Sequence, residues 1–149
     1  MVIAIISLLS SVVLASLRTA QARSRETAIK TQVNQLRVLL EQEFLDTGSY
    51  SALQPDHWAP GFRSCATMTL SGLYATQVRA ICTNIVALSF PAPTDFAFKL
   101  AVQPASSSQY SAIAWLPNKG TYYCIGSSGR NSETAVSGAA TDPGCPRNP

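Results

Sequence analysis

The first seventeen residues, MVIAIISLLSSVVLASL, contain no charge, no Gly and no Pro, and Ser7, Ser10, Ser11 and Ser16 are their only polar members. No other feature restricts the fold as much, because a helix apolar on every side has to leave water around its whole circumference. Such a helix rises roughly 25 Å at 1.5 Å per residue, near the lower limit for the ~30 Å hydrocarbon core of a bilayer. The serines are compatible with that setting. A hydroxyl can bond a carbonyl one turn back, and small side chains let neighbouring helices approach closely. Two other readings stand beside a membrane or assembly helix. One is a secretory signal peptide cut at the small-x-small pattern Ala20-Gln21-Ala22, against which Arg18 lies between the apolar run and the cut. The other is a buried helix of a soluble core, which a domain this small rarely surrounds on every face.

Beyond Leu17 the chain keeps to helix formers, with neither Pro nor Gly before Gly48. One helix from near Met1 to about Leu45 is therefore expected, roughly 68 Å long at 1.5 Å per residue. Its second half is amphipathic. Ala22, Ile29, Val33, Leu36, Leu40 and Phe44 recur at helical steps and predict a stripe packed on a domain, while Arg25, Lys30, Gln35, Glu41 and Glu43 can face away. Asp46-Thr47-Gly48-Ser49 closes the helix, with Gly48 suited to a left-handed conformation just past its end. Between positions 18 and 37, Arg18, Arg23, Arg25, Lys30 and Arg37 are opposed by Glu26 alone. Such a segment reads as a solvated or headgroup-facing collar. By the positive-inside rule it would hold the following domain in the cytoplasm, in conflict with the cysteines described next.

From about Ser49 the helical period gives way to Pro, Gly, Ser and Thr punctuation between short β-like runs. Asp95 to Val102 places Phe96, Phe98, Leu100 and Val102 on one face, the period-two pattern of a half-buried strand. Tyr110 to Leu116 is a second strand, Pro117-Asn118-Lys119-Gly120 a turn, and Thr121 to Ile125 a third strand, so an antiparallel meander covered by the long helix is expected. Signals between Ser49 and Phe90 are weaker: a loop-rich stretch at Trp58 to Phe62, and a strand or short helix near Val78 to Leu88. The fold class is α+β, with segments 1–17, 18–48 and a head, 49–149. The head alone carries cysteines: Cys65, Cys82, Cys124 and Cys145. An even count after an export-like segment favours disulfides. Of three connectivities, Cys65–Cys82 with Cys124–Cys145 is favoured because each closes a local loop, worth roughly 3 kcal/mol. Zinc sites normally need shorter ligand spacings.

Chemistry finds little support in the chain. The one histidine, His57, sits in a Gln-Pro-Asp-His-Trp loop with no nucleophile motif beside it. Gly126-Ser127-Ser128-Gly129 misses the G-x-S-x-G spacing and reads as a flexible turn. Glu41, Glu43 and Asp46 cluster near the helix end, but residues two apart on a helix point to different sides, so solvated charges are expected. No P-loop, dinucleotide fingerprint, EF-hand loop or HExxH occurs, so neither an enzyme nor a cofactor is expected. Only Glu133 and Asp142 are acidic in the C-terminal loop, too few for a calcium site. A formal charge of +3, with 13% charged residues, carries no nucleic-acid signature.

The segment from Met1 to Tyr50, ending in the helix exit Asp46-Thr47-Gly48-Ser49-Tyr50, resembles the N-terminal helix of type IV pilins and of the pseudopilins of type II secretion. Tyr122-Tyr123-Cys124-Ile125-Gly126-Ser127 is similar to the last strands of that family and its cysteine-bounded C-terminal loop; the rest of the head is matched in layout. The resemblance implies a short basic leader and a Phe-Thr-Leu-Ile-Glu-Leu type stretch ahead of residue 1, and about six restored residues would let the apolar run span comfortably and remove the topology conflict. It further implies a subunit held in the cytoplasmic membrane with its head outside. Extraction would then bring it into an extracellular or periplasmic filament with copies of itself or other pilin-like subunits, by an assembly machinery. Ala4, Ser7, Ser10, Ser11, Ala15 and Ser16 would be close-packing positions of the filament core. Val33, Leu36, Leu40 and Phe44 would anchor the head to the helix. The alternative is a monomeric binding module, secreted or membrane-anchored, with a disulfide-stabilised head.

Overall fold

The computed structural model describes residues 2–53, 65, 70–90, 92, 97–102, 108–135 and 145, with side chains from Val13 onward apart from those of Leu14, Ala15 and Lys99. Helix α1 runs unbroken over Val2–Thr47, two residues past the expected Leu45. Gly48 ends it at φ 74°, donating its N–H to Phe44 O at 2.7 Å, while the Thr47 hydroxyl takes up Glu43 O at 2.7 Å. Only a residue without Cβ adopts that left-handed turn at little cost. A single 3-10 turn, Ser51–Leu53, then sends Leu53 into the core.

Helix α2 (Ala75–Leu88) settles the open reading of this stretch in favour of a helix. Val78, Cys82 and Ile85 are its buried residues, at steps of four and three, so one helical face is apolar where a strand would need alternation. A four-stranded antiparallel meander follows, β1 (Phe98–Val102), β2 (Tyr110–Leu116), β3 (Thr121–Gly126) and β4 (Asn131–Thr134), paired in chain order. Ile113 lies opposite Cys124, Trp115 opposite Tyr122 and Tyr123 opposite Glu133. The polar stretch after Ser127, for which no strand was expected, contributes β4. Its residues Asn131-Ser132-Glu133-Thr134 lack an apolar alternation because the strand is an edge held by its backbone. Asp95, Phe96, the Trp58 to Phe62 stretch, His57 and Asp142 lie outside the described residues.

The sheet is buried on both faces. Phe98, Leu100, Val102, Tyr110, Ala112, Ala114, Leu116, Tyr123 and Ile125 meet α1 and α2 in one core. Ala101, Ile113, Tyr122 and Cys124 form a second cluster on the opposite face, with Cys145 and the half-buried Trp115. Two disulfides are present: Cys65 with Cys82, which fixes residue 65 to the middle of α2, and Cys124 with Cys145, which fixes residue 145 against the outer face of the sheet. Among the described residues no helix is long and apolar enough to cross a membrane, and most side chains of the apolar run lie outside them.

Candidate functional site

The candidate site is α1 and its seat on the head. Ile29, Val33, Leu36 and Leu40 are each 0% exposed, at steps of four, three and four. That row inserts between the inner face of the sheet and α2, and full burial of each such side chain is worth roughly 1.5–3 kcal/mol. Phe44 is half-buried at the end of the row, stacked on Tyr50 with ring centroids 4.7 Å apart, and Tyr50 meets Tyr110 edge-on at 4.9 Å. Apolar contact alone would let a helix slide or rotate. Directional polar contacts fix its register.

Those contacts occupy charges that the sequence pattern sends into solvent. Glu41 is half-buried, and its two carboxylate oxygens accept hydrogen bonds from the Tyr50 hydroxyl at 3.0 Å and the Tyr110 hydroxyl at 3.1 Å. Burial, reinforced by the Glu41 carboxylate, pushes the Tyr50 hydroxyl up to about 12 and raises that of Tyr110 further still. Glu43 is completely buried: one oxygen accepts the backbone N–H of Tyr74 at 3.3 Å and the other has no partner. It therefore sits at the N-terminus of α2, where the helix dipole favours negative charge. Asp46 accepts the Tyr74 hydroxyl at 2.9 Å, and this bond raises the Tyr74 pKa. The expectation of solvated charges is thus corrected for Glu41 and Glu43, while Asp46 is exposed as expected and carries one hydrogen bond to the head. Two helical residues two apart do point to different sides, but here each side meets part of the head.

At the other edge of the seat, Lys30 pairs with Glu133 of β4 and lies 5.6 Å over the Tyr123 ring, while Lys119 reaches the second oxygen of Glu133 at 2.7 Å. Hydrogen bonds from Lys119 and then Lys30 hold the Glu133 carboxyl below its usual range, and Glu133 in turn raises Lys119. Arg37 donates to Gly126 O at 3.3 Å and Arg130 O at 3.1 Å, gripping both ends of the β3–β4 turn. That turn is the glycine-serine stretch, with Gly129 at φ 78°.

Of the positions assigned to the filament core, Ala4, Ser7, Ser10, Ser11 and Ala15 lie on the backbone of α1 and their side chains are outside the described residues. Ser16 is exposed and its hydroxyl bonds back to Val13 O at 2.9 Å. Ala22 is half-buried at the start of the packed row. Among the described residues no group of three or more His, Cys, Asp or Glu side chains is gathered to hold a metal ion. Comparison with protein-family models, curated proteins and solved structures finds no match to this chain.

Proposed function

We propose that this chain is the structural subunit of a type IV pilus-like filament or of a type II secretion pseudopilus. The observation that carries this reading is α1, one unbroken helix buried along Ile29, Val33, Leu36 and Leu40 yet exposed by 62% at Val13 and 51% at Leu17. A head that grips only the second half of such a rod leaves the first half for another environment. In this reading the apolar run passes from lipid into a bundle of like helices, staying dry in both, with Ala4, Ser7, Ser10, Ser11, Ala15 and Ser16 at close-packing positions. The heads coat the filament, and their two disulfides suit an oxidising exterior.

Mass spectrometry of the N-terminal peptide, taken from surface-sheared and membrane fractions of the native host, tests this. An N-methylated residue several positions upstream of Met1 in the sheared fraction supports the filament reading. A chain starting at Arg23 in the medium replaces it with a secreted monomeric module. A chain kept in the membrane fraction and absent from sheared material makes it an anchored one.

A further inference from the structure

We propose that Arg18, Arg23 and Arg25 form a collar that docks on the anionic headgroups of a phospholipid leaflet, holding the head at a fixed height above the bilayer before assembly. The inference rests on the membrane stage of the proposed function and names the lipid chemistry that stage requires.

Its first support is position along the rod. Leu17 is the last residue of the apolar run and Glu26 the first buried residue of α1 beyond it. The eight residues between them cover roughly 12 Å at 1.5 Å per residue, somewhat more than the ~5–8 Å headgroup layer on each side of a bilayer. Arg18, Arg23 and Arg25 are all exposed within that gap. Arg18 and Arg25, seven apart, share one side of the helix, and Arg23 lies ~140° around it at 100° per residue. Long side chains at such a boundary can extend along the helix toward phosphate while their stems stay on apolar surface.

The second support is how charge is spent elsewhere. Among the described residues every carboxylate is buried or already engaged: Glu41 by two phenols, Asp46 by Tyr74, Glu133 by two lysines, with Glu26 and Glu43 buried. Glu26, one residue past Arg25, is only 6% exposed. The basic residues farther along α1 are occupied too, Lys30 by Glu133 and Arg37 by two carbonyls. None of the three collar guanidinium groups pairs with a described carboxylate. Among the described residues, basic side chains are neutralised where the head covers α1 and meet no carboxylate just below it. A leaflet presents anions at the required height and all around the helix.

The test is co-flotation of the full chain with vesicles of phosphatidylcholine alone or with added phosphatidylglycerol. The wild-type chain is expected to partition into both and to favour the anionic vesicles on the order of a hundredfold at low salt, a preference that fades as salt rises. The variant Arg18→Gln/Arg23→Gln/Arg25→Gln keeps its partition into neutral vesicles and loses the preference; Arg130→Gln, an exposed head arginine, retains it. Equal partition of the wild type into both vesicles overturns the collar and leaves the membrane reading standing. Equal loss on Arg130→Gln overturns it in favour of net charge. Lipid-free self-association abolished by the triple change, without any lipid preference, assigns the collar to a second copy. No flotation with either vesicle removes the collar and the membrane stage together.

Discussion

Tyr110, the first residue of β2, donates its hydroxyl across 3.1 Å to Glu41 on α1, sixty-nine positions earlier in the chain. With Tyr50 on the other carboxylate oxygen, one acidic side chain ties the helix, the chain leaving it and the sheet together. Hydrogen bonds to a charged group are worth about 1.5–3 kcal/mol each, more than most surface contacts.

The protein is therefore expected to lose stability at alkaline pH through these phenols. Both have raised folded-state pKa values, Tyr50 to about 12 and Tyr110 further, so their contribution is complete below the ordinary phenol value near 10 and falls above it, the Tyr50 part being lost as pH rises through 12 and the Tyr110 part at higher pH. Urea unfolding at pH 8 and pH 11 reads it. Tyr50→Phe/Tyr110→Phe removes both bonds and should be about 3–6 kcal/mol less stable at pH 8 and change less between the two pH values than the parent. A parent-like pH slope in the variant would assign the alkaline loss to other groups.

Glu133 gives the opposite pH sign. Its folded-state pKa is lowered by Lys119 and Lys30, so its contribution is present above the ordinary carboxylate range and disappears as pH falls through the folded value. The Lys119 contact is exposed and the Lys30 contact only part-buried, so solvent screening limits the effect of Glu133→Gln to about 1 kcal/mol at pH 7. Thermal melts at pH 7 and pH 3 should show a smaller gap between variant and parent at the lower pH, and the gap at pH 7 should narrow in high salt.

Periodicity was enough to read the buried row Ile29, Val33, Leu36 and Leu40 of α1 and the alternation that ends in β1, because water is excluded from one face and the chain has to place apolar side chains there; β2 and β3, buried on both faces, were legible instead as apolar runs joined by the Pro117 to Gly120 turn. Glu41 and Glu43 were not readable that way. Their burial depends on Tyr50, Tyr110 and Tyr74, partners brought close only by the tertiary fold, and a carboxylate in a helix otherwise looks like a solvated charge. Strand β4 escaped for a related reason: it is made by backbone pairing with β3, and its one side chain that fixes the helix, Glu133, is polar. The signal that could have found the clamp is the aromatic pair Phe44 and Tyr50 flanking Gly48, which turns a ring back toward the helix it has just left.

Burial along α1 predicts a sharp contrast between neighbouring positions. Leu36→Ala empties a fully enclosed site and is expected to cost about 2–5 kcal/mol in urea unfolding. Val38→Ala, two residues on and 54% exposed, should stay within about 0.5 kcal/mol. Comparable losses at both positions would mean that the exposed side of α1 is covered in the free protein.

Gly72 lies where the turn ahead of α2 closely approaches the end of α1. A Cβ built there would stand 2.7 Å from the Glu43 carboxylate oxygen and 2.8 Å from Leu53 Cδ2, distances real side chains do not tolerate. Glu43 is completely buried, and so is Leu53, so neither has solvent to move into. Gly72→Ala is expected to destabilise the head by about 1–3 kcal/mol through overpacking. Because the clash is shared with Glu43, the effects of Gly72→Ala and Glu43→Ala should not add: in the Glu43→Ala background the alanine meets the space left by the carboxylate and its cost should fall. A urea-denaturation double-mutant cycle measures this coupling, and strict additivity would place the Glu43 carboxylate away from Gly72 in solution.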